Sequence, residues 1–157
     1  MFAKKLLTIV VFALAVLLFS CCAAEKTPEL SGRGTGFMRV RVLDGMSETP
    51  LSNAEVVIPE TGGRYKTGEK GLTSEIELPV IPDSEYDKLL PNAEGRITLL
   101  VFAEGYTPYL LLYTRVKETE CREIEILMFP DDGTLPVFTV IEAPSQLWAR
   151  ELMDRYK

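Results

Sequence analysis

The residue pair with the clearest chemical spacing is Glu75 and Glu77, in the stretch Thr67–Pro79 that reads TGEKGLTSEIELP. In a strand, side chains two apart share a face, and at about 3.3 Å per residue their carboxylates would stand roughly 6.6 Å apart. Inverting glycosidases hold their acid and base roughly 6.5 to 9.5 Å apart, so this pair sits at the lower edge of that window. The competing reading is the wet side of a strand. Residues 122–127, REIEIL, favour the second reading: Glu123 and Glu125 alternate with Ile124 and Ile126 just as Glu75 and Glu77 alternate with Ile76 and Leu78. The same acid and aliphatic alternation appearing twice describes a solvated face. Acid catalysis by a carboxyl also needs surroundings that raise one pKa, and nothing in the stretch supplies them.

Other chemistry is thin. DSEYDK at 83–88 spaces Asp83, Glu85 and Asp87 like the start of a calcium loop, but Lys88 stands where the loop needs glycine and no glutamate follows at the twelfth position. GRGTG at 32–36 lacks the Lys-Ser/Thr ending of a phosphate loop. The chain has no histidine for a triad, a general base or a zinc site, and no Gly-x-Ser-x-Gly elbow. No metal, no cofactor and no catalytic residue is expected.

The elements that must carry these residues read as strands. FMRVRVL (37–43) alternates Met38, Val40 and Val42 against Arg39 and Arg41; AEVVIP (54–59) is β-branched and ends at a proline. RYKTGEKGLTSEIEL reads as two short strands around a glycine turn at 68–71. A long proline-bearing loop follows at 79–95, then RITLLVFA, YLLLYTRV and REIEILMF. About seven strands with no helical period between them predict an all-β, antiparallel sandwich or barrel.

Two aromatic groups stand out. In YTPYLLLYTR, strand alternation puts Tyr109, Leu111 and Tyr113 on one side and Leu110 and Leu112 on the other, so this strand is apolar on both faces and needs a cover. The tail APSQLWARELMDRYK offers one: a short C-terminal helix over 145–157, with Ser145 as N-cap and Trp148, Leu152 and Tyr156 on one stripe. Packing of that stripe on its own domain is preferred, with a docking surface for a partner as the alternative. Trp148, Leu152, Tyr156, Tyr109 and Tyr113 are the candidate interaction residues.

The N-terminus is a targeting segment. Lys4 and Lys5 precede the uncharged run Leu6–Phe19 and the small residues SCCAA, the order of a secretory signal over residues 1–20. The run is shorter than the about 20 apolar residues a membrane span requires. LFSC at 18–21 resembles the lipobox of bacterial lipoproteins, with Phe19 departing from the usual small or β-branched residue. That resemblance implies lipidation of Cys21 and a chain anchored to the outer face of the cell membrane. Cleavage after CAA at 22–24 and an uncleaved anchor remain the competing readings. Lipidation leaves Cys22 and Cys121, either as a disulfide or, preferred, as unrelated small residues. Residues 21–36 then form a flexible tether rich in glycine. Loss of residues 1–20 lowers the basic count from 17 to 15 against 23 acids, a formal charge of −8. An acidic, histidine-free chain has no electrostatic footprint for nucleic acid.

Three segments in order, TPLSNAEVVIPETG, TGEKGLTSEIELP and VFAEGYTPYLLLYTRV, resemble the carboxypeptidase regulatory-like domain, over residues 37–129. Pro50, Leu51, Asn53, Ala54 and Val56 fit its first turn and second strand; Thr67, Gly71 and Leu72 its next turn; Gly105 and Tyr106 its Gly-Tyr step. DGMSETP is longer than the usual first turn, and Lys70-Gly71 replaces Asn-Gly or Asp-Gly. The resemblance implies a seven-stranded antiparallel transthyretin-like β-sandwich, followed by a C-terminal extension over 130–157. The version with GLT and IELP looks like that of Gram-positive cell envelopes. It further implies a non-catalytic structural or protein-binding module in the envelope, and no enzyme. A cell-wall or carbohydrate-binding module is the alternative, and a small hydrolase ranks third.

Overall fold

The computed structural model describes residues 34–82, 86–89 and 94–157. The residues 1–20, Cys21, Cys22 and most of the tether lie outside the described residues, as do Asp83, Ser84 and Glu85 of DSEYDK.

Among the described residues, eight strands form two sheets. They are β1 (Thr35–Asp44), β2 (Glu55–Ile58), β3 (Gly63–Lys66), β4 (Ile76–Pro79), β5 (Glu94–Phe102), β6 (Tyr109–Lys117), β7 (Cys121–Met128) and β8 (Phe138–Ile141). A short helix α1 (Tyr86–Leu89) lies in the long loop, and α2 (Gln146–Tyr156) ends the chain. The three-stranded sheet has the order β4-β1-β7 and the five-stranded sheet β3-β2-β5-β6-β8. The all-β class holds, but the seven-stranded antiparallel expectation is corrected. An eighth strand is recruited from residues beyond 129, and both sheets are mixed, because β1 pairs β7 in parallel from Phe37↔Cys121 to Asp44↔Met128, and β6 pairs β8 in parallel. VFTVI escaped the strand reading because it follows a loop of Asp, Gly, Thr and Pro and carries only one hydroxyl, Thr139, to mark an alternation.

The period-two pattern decides which side chains meet. Met38, Val40 and Val42 of β1, Ile76 and Leu78 of β4, and Ile124, Ile126 and Met128 of β7 point inward, against Val56 and Ile58 of β2 and Ile97, Leu99 and Val101 of β5. All are nearly or fully closed to solvent, which at roughly 25 cal/mol per Å² of apolar surface is the main source of stability.

The turns are fixed by named groups. Gly71 has φ +66, and a Cβ there would lie 2.5 Å from the Val42 carbonyl oxygen, so only glycine fits. The Thr67 hydroxyl is buried, accepts from the Ala54 N–H at 2.9 Å and donates to the Leu51 carbonyl at 2.6 Å. Tyr106 donates its hydroxyl to Asp44 at 2.7 Å, and the other Asp44 oxygen accepts from the N–H groups of Met46 and Ser47. These bonds hold the Asp44 carboxyl down to about 2, the Tyr106 bond contributing most.

Candidate functional site

Glu75 and Glu77 are both exposed, Glu77 on the outer face of β4 and Glu75 just before that strand. Arg39 reaches Glu75 at 3.2 Å and Arg41 reaches Glu123 at 2.7 Å, so the outer side of the three-stranded sheet is a lattice of surface ion pairs. The exposed Cys121 thiol donates to Glu75 at 3.4 Å. Desolvation first, and then the Glu75 carboxylate, push this thiol above its usual range, which keeps it protonated and a poor nucleophile. Among the described residues no group of three or more His, Cys, Asp and Glu could hold a metal ion. The geometry is that of a wet strand face.

The outer face of the five-stranded sheet is different. Register aligns Val57, Leu100, Leu110 and Thr139 in one row across β2, β5, β6 and β8, with Phe102 one row to one side and Leu112 opposite Ile141 on the other. Val57 is buried, Leu100, Leu110 and Leu112 are half-buried, and Phe102 and Ile141 are 41% and 62% exposed. Hydrophobic side chains that strand alternation should turn to water instead form a contiguous apolar surface.

Tyr113, on the same strand, is exposed for a reason that strand alternation does not foresee. Between Ile97↔Thr114 and Leu99↔Leu111 the β6 ladder takes an extra residue, so Leu112 and Tyr113 together oppose Thr98. Tyr113 has φ +59, a left-handed conformation strained for an aromatic residue, and is exposed. The bulge corrects the expected shared face: Tyr109 and Leu111 turn inward, whereas Tyr113 does not. Beyond the bulge the inward positions become Thr114 and Val116. The Glu60 carboxylate, from the β2–β3 turn, accepts from the Thr98 N–H at 2.8 Å and satisfies the amide at the irregularity. Tyr109 stacks on Phe138 with centroids 5.5 Å apart, and burial raises its hydroxyl pKa.

The C-terminal stripe divides. Ser145 caps α2, accepting from the Trp148 N–H at 3.2 Å. Trp148 is buried, Leu152 half-buried and Tyr156 77% exposed, so the stripe is seated most deeply at its first turn and progressively less beyond it. What seats it is legible on the approach: Glu142 accepts from Arg115 of β6 at 2.5 Å and from Arg122 of β7 at 2.8 and 3.0 Å. One carboxylate, 14% exposed, thereby ties the C-terminal segment to both sheets. At the far end Arg155 donates to the Leu89 carbonyl at 3.0 Å. The sequence signal for the clasp was absent, because Arg115, Arg122 and Glu142 are remote in the chain.

No family model matches this sequence, and no curated protein is detectably similar to it. Among solved structures, the Bacillus anthracis TIE protein is similar at 18% identity and TM-score 0.42, over 62% of this chain and 17% of that one. A type II cohesin–X-dockerin complex from Acetivibrio cellulolyticus, a C-terminal interface mutant, gives 18% identity and TM-score 0.42 over 62% of this chain and 59% of that one. The N-terminal interface mutant of the same complex gives TM-score 0.38 at 18% identity, over 62% and 57%. The chain thus spans less than two thirds of each, and likeness at this level assigns no function.

Proposed function

We propose that this chain is a non-catalytic protein-binding module of the carboxypeptidase regulatory-like kind, held outside the cell membrane by lipid on Cys21, and that its binding surface is the outer face of the five-stranded sheet. The observation that carries this reading is the apolar row Val57, Leu100 and Leu110 with Phe102 and Ile141 standing in water beside it. A purely structural spacer gains nothing from an apolar outer face, whereas apolar patches rimmed by polar residues mark protein contacts. The rim is present: Glu55 and Arg64 form an ion pair on the β2–β3 side, and Arg115 with Glu142 stands on the β6–β8 side.

A cell-wall polysaccharide is the second reading, favoured by two exposed rings, Phe102 and Tyr113, in the same sheet. The full chain, solubilised in detergent and immobilised, would be used to capture partners from envelope extract with and without solubilised cell wall as competitor. Retention of a protein that is lost with Phe102→Lys plus Leu110→Lys, and kept with Glu75→Gln plus Glu77→Gln, supports the proposal. Loss with the glutamate pair, or displacement by cell wall alone, contradicts it. For the anchor, Cys21→Ser should release the chain to the medium or leave the precursor uncleaved; an unmodified start at Glu25 by mass spectrometry contradicts it.

A further inference from the structure

Each sheet ends in two edge strands, and these four edges are not alike. An edge presents unpaired N–H and C=O groups, and proteins blunt it with charged side chains or proline. Strand β3 carries Arg64 and Lys66, β4 carries Glu77 and Pro79, and β7 carries Arg122, Glu123 and Glu125. Strand β8, Phe138-Thr139-Val140-Ile141, carries neither a charge nor a proline. Its ladder to β6 uses alternate residues: Phe138 donates to the Pro108 carbonyl at 2.8 Å and Glu142 to the Leu112 carbonyl at 2.9 Å. Thr139 and Ile141 therefore direct their N–H and C=O groups away from β6, along the open edge. Both side chains are exposed, and both lie on the apolar outer face already described.

We propose that β8 accepts an extended segment of a partner protein as a ninth strand, main chain to main chain, with apolar side chains continuing the outer-face row and basic residues at the end nearest Asp131 and Asp132. This inference rests on the protein-binding reading above. Extended backbone is what an open edge recognises, through hydrogen bonds that no side-chain pocket could supply. The charge follows from the chain around β8: between Phe129 and Ala149 the only ionisable side chains are Asp131, Asp132 and Glu142, with no Lys or Arg. Glu142 is already matched by Arg115 and Arg122. Asp131 and Asp132 are exposed; Asp132 is kept below the usual carboxylate range by the Thr134 hydroxyl and N–H. Neither carboxylate has a basic neighbour in that stretch of sequence. A second copy of the chain brings a further net −6 and no basic residue on its own β8, so a cationic partner is the better match.

The probe is a synthetic peptide of alternating threonine and valine with two lysines at one end, added to the full chain in detergent micelles. Hydrogen exchange resolved to single amides should show protection gained at Thr139 and Ile141. Ile141→Lys should weaken binding by at least about tenfold with the melting temperature unchanged, as charge on an edge blocks strand addition. Thr139→Lys serves the same purpose if the first variant does not fold. A copy of the peptide with glutamates for lysines should bind about tenfold more weakly at low salt. The inference is overturned if the peptide protects another edge, if protection is indifferent to both lysine variants, if no protection appears at millimolar peptide, or if Thr139 and Ile141 are protected without peptide in proportion to protein concentration, which means self-association. Should these fail while capture by the Phe102 and Leu110 surface persists, the strand-addition mode falls and the face remains; loss of both removes the binding reading itself.

Discussion

On the three-stranded sheet the outward positions are dominated by Arg39, Arg41, Glu77, Glu123 and Glu125, with Phe37, Leu43 and Leu127 toward the two ends; on the five-stranded sheet they include Val57, Leu100, Phe102, Leu110 and Ile141. The inward positions of both sheets are mainly aliphatic and closed to solvent, with Thr114, Tyr65 and Tyr109 as exceptions in the five-stranded sheet. Packing of the core therefore does not explain the contrast, since it constrains only the inward half of each strand. What differs is the outward half, where stability asks for little and function is free to choose. Charges arrayed as Arg39 with Glu75 and Arg41 with Glu123 keep one face in water. The other face is buried near Arg96, 8% exposed, and opens toward Phe102. On the function proposed above, the wet face is not the binding site, although it holds the residues whose spacing first suggests chemistry.

The largest effect should come from the closed end of the structure. Trp148→Ala should cost about 3 to 5 kcal/mol, as for a large buried aromatic, measured by chemical denaturation; a cost below about 1 kcal/mol would mean that the helix adds nothing to the sandwich. Glu142→Ala removes the shared partner of two guanidinium groups and should cost about 2 kcal/mol, less than a fully buried pair because Arg115 and Arg122 are each about a third exposed. Limited proteolysis should then cut the chain after Ile141 faster than in the parent.

Glu60→Ala leaves the Thr98 amide without its carboxylate and should cost about 1 to 3 kcal/mol, read by the same denaturation. It would sharpen the comparison by showing that the bulge carrying Tyr113 is held deliberately on the apolar face. On the opposite sheet the carboxylate that matters for stability is Asp44, not a glutamate. Its folded pKa of about 2 lies below the ordinary 3.8, so its contribution is fully present above pH 3.8 and is lost as pH falls toward about 2. In Asp44→Asn the acid limb of the stability curve should flatten over that interval; an unchanged limb would show that Tyr106 does not hold the charged form. Smallest is Glu75→Gln with Glu77→Gln, expected within about 0.5 kcal/mol because the groups are exposed. A loss of several kcal/mol would erase the distinction between the two faces.

Much of the first comparison could be read in the amino-acid order. Alternation of Met38, Val40 and Val42 with Arg39 and Arg41 sets both faces of β1 at once, and the echo of Glu75 and Glu77 in Glu123 and Glu125 is what a solvated sheet looks like. Gly71 marked a turn because its role is local, a positive φ; Thr67 was marked only by the family resemblance, since its hydroxyl bonds Ala54 and Leu51, 13 and 16 residues earlier in the chain. The second face was only half legible. Leu110 and Leu112 announced an apolar outer side, but whether it is covered depends on pairing partners far along the chain. The extra residue at Tyr113 is a property of two strands together, invisible in either alone. The parallel placement of β7 beside β1 and of β8 beside β6, and the clasp of Arg115, Arg122 and Glu142, are tertiary facts of the same kind.

The most direct test of the account places a photoreactive side chain at Phe102 on one face and at Glu77 on the other, in otherwise identical full-length chains within their native envelope. Crosslinking from position 102 to a defined protein band, with none from position 77, is the predicted result. Equal crosslinking from both positions, or a band from position 77 alone, would contradict the claim that the outer face of the five-stranded sheet is where this protein binds.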